Sequence, residues 1–246
     1  MRAAETTGTF RTSDGVDLRY TRRTLPGRRR AILVVPGVLM HRESAEHRLL
    51  ATRLAAVADV VTLDVRGHGD SGGSFSFGLR EPADVAEVAA SLRSDYDRVG
   101  GLGFSFGGYH TAVSAALHRP FDAVALVATP RNLFILDHNF LTRGLVRSVP
   151  MAVRRARRRT RVSLHPFGKR IPPDRLVDRI APTPLLIVHG TDDWLIPPKH
   201  AEALYARARE PKALLLLEGA LHAENILVDD ADSLIHPLAA FFDERL

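Results

Sequence analysis

The sequence predicts an α/β fold: an eight-stranded, mostly parallel sheet with helices on both faces and a small inserted cap. Three observations carry this. Apolar runs of strand length stand at 31–35, 60–63, 98–102, 123–127, 185–188 and 213–217. Amphipathic runs of helix length alternate with them, the order expected when each parallel strand needs a crossover. The 246 residues are 45% hydrophobic and 25% charged, which fits one large globular domain rather than two equal halves, a disordered chain or a membrane-embedded one.

The elements follow in order. Runs at 9–11 and 16–20 flank Ser13-Asp14-Gly15, a turn signal for an antiparallel hairpin on the sheet edge, and this hairpin completes the eight strands. Strand 31–35 leads through a loop to a helix over 44–57. Strand 60–63 is followed by Asp64-Val65-Arg66-Gly67-His68-Gly69-Asp70-Ser71-Gly72, whose glycines permit sharp turns and whose charged groups can tie loops together. We read this phrase as structural, not as a metal site built from Asp64, His68 and Asp70. Helices over 82–94 and 106–118 bracket strand 98–102, and helices over 200–209 and 231–244 bracket strand 213–217. The interval between strands 123–127 and 185–188 is too long for one crossover. It opens with Leu133-Phe134-Ile135-Leu136 and closes with Pro172-Pro173 and Pro182-Thr183-Pro184. Residues 132–183 therefore read as a cap inserted between core segments 1–131 and 184–246.

The net charge of +6 is unevenly placed. Between Asn139 and Arg175, ten arginines and one lysine face a single acid, Asp174, so this segment is near +10 and the remainder near −4. Charge confined to one segment speaks for a local anionic partner, an acidic acyl carrier or a phosphate-bearing substrate, rather than for nucleic acid. A run of this kind is usually a solvated face; if it docks an anionic membrane surface, a carrier protein or a phosphate-bearing substrate, Arg154, Arg155, Arg157 and Arg158 are the candidate residues. No apolar run approaches the roughly 20 residues of a membrane helix, and the first residues lack the apolar core of a secretory signal. A cytoplasmic location is the resulting expectation. The absence of cysteine excludes disulfides, thiolate catalysis and cysteine-ligated metal clusters.

Gly103-Phe104-Ser105-Phe106-Gly107-Gly108 carries the strongest chemical signal, because it stands directly after a strand and directly before a helix. So sharp a turn forces the serine into a strained conformation and aims a helix N-terminus at its hydroxyl. A serine needs a base to take its proton and a carboxylate to orient that base. The loop after strand 185–188 supplies Asp192 and Asp193, and the loop after strand 213–217 supplies His222, both at the sheet edge of Ser105. His41, His110, His138 and His165 read as ordinary packed or solvated histidines.

With these phrases in place, the chain resembles the α/β-hydrolase superfamily over nearly its full length outside the cap. The stretch His189-Gly190-Thr191-Asp192-Asp193-Trp194-Leu195-Ile196-Pro197 is similar to that family's H-G-x-x-D-x-x-[VI]-P, and Gly219 to His222 to its G-A-x-H. Asp64 to Ser71 is similar to D-x-R-G-x-G-x-S. The resemblance implies Asp193 as the acid, with Asp192 its solvated neighbour. It also implies an oxyanion hole made by the Phe106 amide and by the Val38 amide of the loop after strand 31–35. That loop departs from the family, with Pro36-Gly37 where His-Gly is usual. No carboxylate follows strand 123–127, and a serine nucleophile argues against the aspartate-dependent dehalogenases and epoxide hydrolases. The implied activity is hydrolysis of a carboxylic ester or thioester of a small acyl substrate, with no metal or other cofactor. Thioesterase or acyltransferase action on a carrier-bound acyl group is the alternative within enzymology, and a non-catalytic small-ligand binder is the alternative outside it.

Overall fold

Strands that are apolar on both faces have to be covered on both, and the structure meets that requirement. The computed structural model describes residues 3–133, 160–162, 168 and 170–246. Arg154, Arg155, Arg157 and Arg158 lie outside the described residues, with most of the expected cap and with His138 and His165. The strands are β1 (Ala4–Arg11), β2 (Asp17–Thr24), β3 (Arg30–Val35), β4 (Asp59–Leu63), β5 (Arg98–Phe104), β6 (Ala123–Val127), β7 (Leu185–Gly190) and β8 (Lys212–Leu217). They form one eight-stranded sheet in the order β1-β2-β4-β3-β5-β6-β7-β8. The β1–β2 hairpin joins β4 antiparallel, and all other pairings are parallel.

Alternation along each strand sorts the core into two layers. Leu33, Val35, Val99, Val124, Leu126 and Ile187 face one side, where α2 (Glu81–Leu92), α3 (Phe106–His118) and α4 (Lys199–Arg207) pack. Ile32, Val34, Leu102, Ala125, Val127 and Val188 face the other, under α1 (Ala45–Leu54), α5 (Glu224–Asp229) and α6 (Ala231–Arg245). Gly100 in β5 leaves room for Phe242 of α6, since a Cβ there would lie 2.7 Å from the ring. Among the described residues no helix is long and apolar enough to cross a membrane.

Three elements differ from the sequence reading. β1 begins at Ala4 because the edge strand is mostly solvent-facing, so its Glu and Thr residues show no apolar alternation. Residues 224–229 form α5 where a loop is expected; six residues are too few for a helical period to register. Within the expected cap, residues 173–175 and 177–179 form short 3-10 turns, and Leu176, Val177 and Ile180 are buried in the core layer of α3. Further back, Phe75 and Val162 form an isolated parallel bridge. The Arg161 amide donates to the Gly67 carbonyl at 2.8 Å and the Phe75 amide to the Arg161 carbonyl at 2.7 Å. Residues 161–162 are thus stitched to the loop after β4.

Phe242→Ala should lower unfolding free energy by about 3–5 kcal/mol, because it empties a fully buried site. Urea denaturation measures this, and a change below about 1 kcal/mol would show that the layer collapses to fill the space.

Candidate active site

The site grows out of the parallel strand ends. β5 runs into Ser105, which sits at φ 51°, ψ −120° as the N-cap of α3. This is a region that side chains rarely occupy, and the neighbouring backbones hold it there. The Ser105 amide donates to the Val127 carbonyl at 2.9 Å, and its carbonyl accepts from the Tyr109 amide at 3.1 Å. Gly107 is required by close approach, because a Cβ there would collide with the carbonyl oxygens of Val35 and Pro36. The loop leaving β3 therefore lies directly against the first turn of α3.

His222 lies in the loop after β8, buried, with its Nε2 3.1 Å from Ser105 Oγ and its Nδ1 2.7 Å from Asp193 Oδ2. The network fixes the tautomer: Nδ1–H donates to the carboxylate, which leaves Nε2 to accept from the serine hydroxyl. The loop after β7 positions the carboxylate. Asp193 Oδ1 accepts from the Leu195 and Ile196 amides at 3.0 and 2.8 Å. His189 Nε2 lies 3.2 Å from Oδ2 and 2.7 Å from the Ile196 carbonyl. Burial disfavours ionisation of Asp193, but electrostatic attraction to His222 and hydrogen bonds from His189 and His222 outweigh it. The carboxyl is held well below the usual carboxylate range. Asp192 is exposed and turned away, its amide donating to the Ala220 carbonyl at 3.0 Å. The structure thus brings Ser105, His222 and Asp193 together in one hydrogen-bonded array.

Val38 and Phe106 flank the serine from the β3 loop and from the first turn of α3. Among the described residues neither backbone amide finds an acceptor. The β3 loop turns through Leu39 at φ 67° and is closed by a 3.1 Å bond from the Met40 amide to the Gly37 carbonyl. Its far end is tied by Arg42, whose guanidinium pairs with the buried Asp64 and, at 2.9 Å, with Asp70. Asp64 also accepts from the Arg42 and Asp70 amides at 2.7 and 3.0 Å. The D-x-R-G phrase is therefore a brace for the loop beside the serine.

The sequence shows that phrase as a structural tie but not Arg42 as its partner, and one other contact escapes it. The Gly37 amide donates to Glu224 Oε1 at 3.1 Å within the interior. The only available signal was that Glu224 follows His222 by two positions. Of the histidines read as ordinary, His110 is fully buried against the rings of Phe75, Phe106 and Tyr109, and burial pushes its pKa down to about 4. It is a neutral packing residue at neutral pH. His41 is half-buried ahead of α1.

A buried serine at a strand-to-helix turn, on the eight-stranded sheet described, makes the chain an α/β-hydrolase. Its profile match narrows this: it belongs to the prolyl oligopeptidase family, over residues 53–225. The human protein ABHD12B is 31% identical over 178 residues, which is 68% of this chain and 48% of the relative. The chain thus spans about half the length of that relative. Among solved structures, α/β hydrolase GrgF from Penicillium sp. sh18 superposes with a TM-score of 0.84 at 17% identity, covering 98% of this chain and 99% of that one. The Pyrococcus furiosus esterase Pf2001 gives 0.79 at 18% identity, covering 99% and 93%.

Asp193→Asn should lower kcat by on the order of 10³–10⁴, because an amide facing the ring holds the wrong tautomer. Asp192→Asn should stay within about threefold, since that residue is exposed and the carboxylate bonded to His222 is that of Asp193. Steady-state kinetics of the two variants side by side make the comparison, and equal losses would remove Asp193 from its role.

Proposed function

We propose that the chain is a serine hydrolase that cleaves a carboxylic ester or thioester through Ser105, His222 and Asp193. The observation that carries this reading is the double hydrogen bond of His222, to a serine on one side and to a buried carboxylate on the other. Ser105 Oγ attacks the acyl carbon while His222 Nε2 takes the hydroxyl proton. Asp193, held ionised, stabilises the resulting imidazolium. The carbonyl oxygen gathers negative charge and is met by the Val38 and Phe106 amides; one such donor is worth roughly 10²–10³ in rate. His222 then hands its proton to the leaving oxygen or sulfur, and the acyl group stays on Ser105. Water repeats the sequence in reverse and frees the acid. Residues 132–183 form the cap over the entrance in this reading.

The family description speaks of oligopeptidases, so the deciding panel holds p-nitrophenyl esters of graded chain length, acyl thioesters and a peptidyl-proline anilide. Turnover of esters or thioesters above the anilide is expected, and a preference for the anilide would move the reading to peptide bonds. Ser105→Ala and His222→Ala should each lose nearly all turnover, and the double variant little more, because the two groups act as a unit. Additive losses would contradict that coupling. Fluorophosphonate labelling of the wild type but not of Ser105→Ala is expected, and an inert serine would leave a small-ligand binder.

The segregated arginines favour one variant of this reading, a thioesterase or acyltransferase acting on an acyl group attached to an acidic carrier or to a phosphate-bearing thiol. Replacing Arg154, Arg155, Arg157 and Arg158 with Gln should leave kcat on a small neutral ester within about threefold, less than one decade or about 1.4 kcal/mol of barrier. On an anionic carrier substrate the same variant should show a raised KM and a flattened dependence on salt. A parallel response on both substrates, or none on either, would remove the docking role.

A further inference from the structure

Two residues beyond His222, Glu224 is buried at the start of α5 with its carboxylate directed at the β3 loop. Its Oε1 accepts the Gly37 amide proton at 3.1 Å. The Gly37 α-carbon is wedged between this carboxylate and the serine: a Cβ there would lie 3.0 Å from Glu224 Oε1, 3.2 Å from Ser105 Cβ and 3.4 Å from the Phe104 carbonyl oxygen. Behind the carboxylate stands His47 of α1, fully buried, with its Nε2 3.7 Å from Oε1 and its Nδ1 2.8 Å from Ser44 Oγ. The His47 ring packs edge-on against Phe104, the residue before the serine, at 5.4 Å between centroids. Between His222 and Glu224, Ala223 adopts φ 42°, ψ −112°, and this unusual turn lets one side chain face Ser105 while the other faces Gly37.

We propose that Glu224 is a positioning residue for the oxyanion hole, an inference that rests on Ser105 acting as the nucleophile. A buried backbone donor has to be satisfied, and an acceptor fixed in α5 sets where the Pro36–Gly37 segment lies. The next amide along is that of Val38. Moving Gly37 by a fraction of an ångström moves the Val38 donor relative to the acyl oxygen, and such donors act only at hydrogen-bond distance. A bare carboxylate so close to a developing oxyanion would oppose it. The His47 ring, 3.7 Å from Oε1, is placed to offset that charge. Through residues 222–224, a single short segment thus aligns the base with the nucleophile and the loop with the oxyanion. Glu224 braces from behind a loop that here carries Pro36-Gly37.

The test compares Glu224→Met, which keeps the volume and removes the acceptor, with Glu224→Gln, which keeps an acceptor oxygen. Each is assayed for kcat and KM on a p-nitrophenyl ester, for thermal unfolding, and for affinity toward a trifluoromethyl ketone. In that probe the Ser105 oxygen adds to the ketone carbon, His222 keeps the serine proton, and the ketone oxygen becomes the oxyanion. Glu224→Met should lose about 30- to 300-fold in kcat with KM within threefold, and should lose ketone affinity by a similar factor; Glu224→Gln should recover most of both. A Met variant with wild-type kcat, a loss confined to KM, or a kcat loss without loss of ketone affinity overturns the proposal. Should Glu224→Met fail to fold, Glu224→Gln alone decides: the weaker neutral acceptor predicts a three- to tenfold loss in both kcat and ketone affinity, and a loss in neither or in only one overturns it. A wild-type chain whose ketone affinity is the same after Ser105→Ala overturns the nucleophile reading itself, an outcome distinct from any response at Glu224.

Discussion

The turn at Ser105 is the constraint on which the rest of the site depends. A parallel strand has to end, a helix has to begin, and one residue has to absorb the change at φ 51°. That conformation persists because the Val127 carbonyl holds the amide on one side and α3 draws the carbonyl on the other. The first turn of α3 then lies so close to the β3 loop that Gly107 has no room for a side chain. Serine, helix dipole and the loop carrying Val38 are therefore one packed object. His222 and Asp193 arrive from β8 and β7 because consecutive parallel strands present their C-terminal ends at the same sheet edge.

Charge is arranged around this object with two different purposes. Asp193 sits where donors converge, so it stays ionised and holds the imidazole in one tautomer. Asp64 is equally buried, but its donors come from Arg42 and the Asp70 amide. It serves geometry, tying the loop beside the serine to the loop after β4. That second loop is in turn joined to residues 161–162 through Gly67 and Phe75. Residues 161–162 are thus linked through backbone bonds to the loop after β4, and through the Asp64 and Arg42 side chains to the loop beside the serine.

How much of this could be read from the sequence follows from how far apart the partners lie. Ser105, Asp193 and His222 each sit in a short phrase that also contains the turn residues needed to present them, so local spacing revealed them. Glu224 bonds a residue 187 positions away, and a contact of that range leaves no local pattern. The charged groups of the Asp64 to Ser71 phrase were legible as loop ties, yet Arg42 as the partner of Asp64 was not, because no phrase connects them. The interior strands announced themselves through apolar runs buried on both faces, whereas β1 carries the polar pattern of an exposed edge. Leu176, Val177 and Ile180 contribute to the core from within a stretch whose prolines and arginines hide them.

Backbone strain is distributed unevenly over the molecule. Among the described residues six non-glycines have positive φ, and four of them, Leu39, Ser105, Ala128 and Ala223, follow β3, β5, β6 and β8 at the same sheet edge, while Phe77 precedes α2 and Arg119 caps the far end of α3. Conformations of this kind store on the order of 1–3 kcal/mol each. The sheet and its two helical layers hold the four turns at the site edge in place. Each of these turns is pinned by its neighbours, Ser105 through the Val127 carbonyl and the Tyr109 amide and Ala128 through the Val188 carbonyl, so the strands themselves are the clamps that keep the reactive edge in shape.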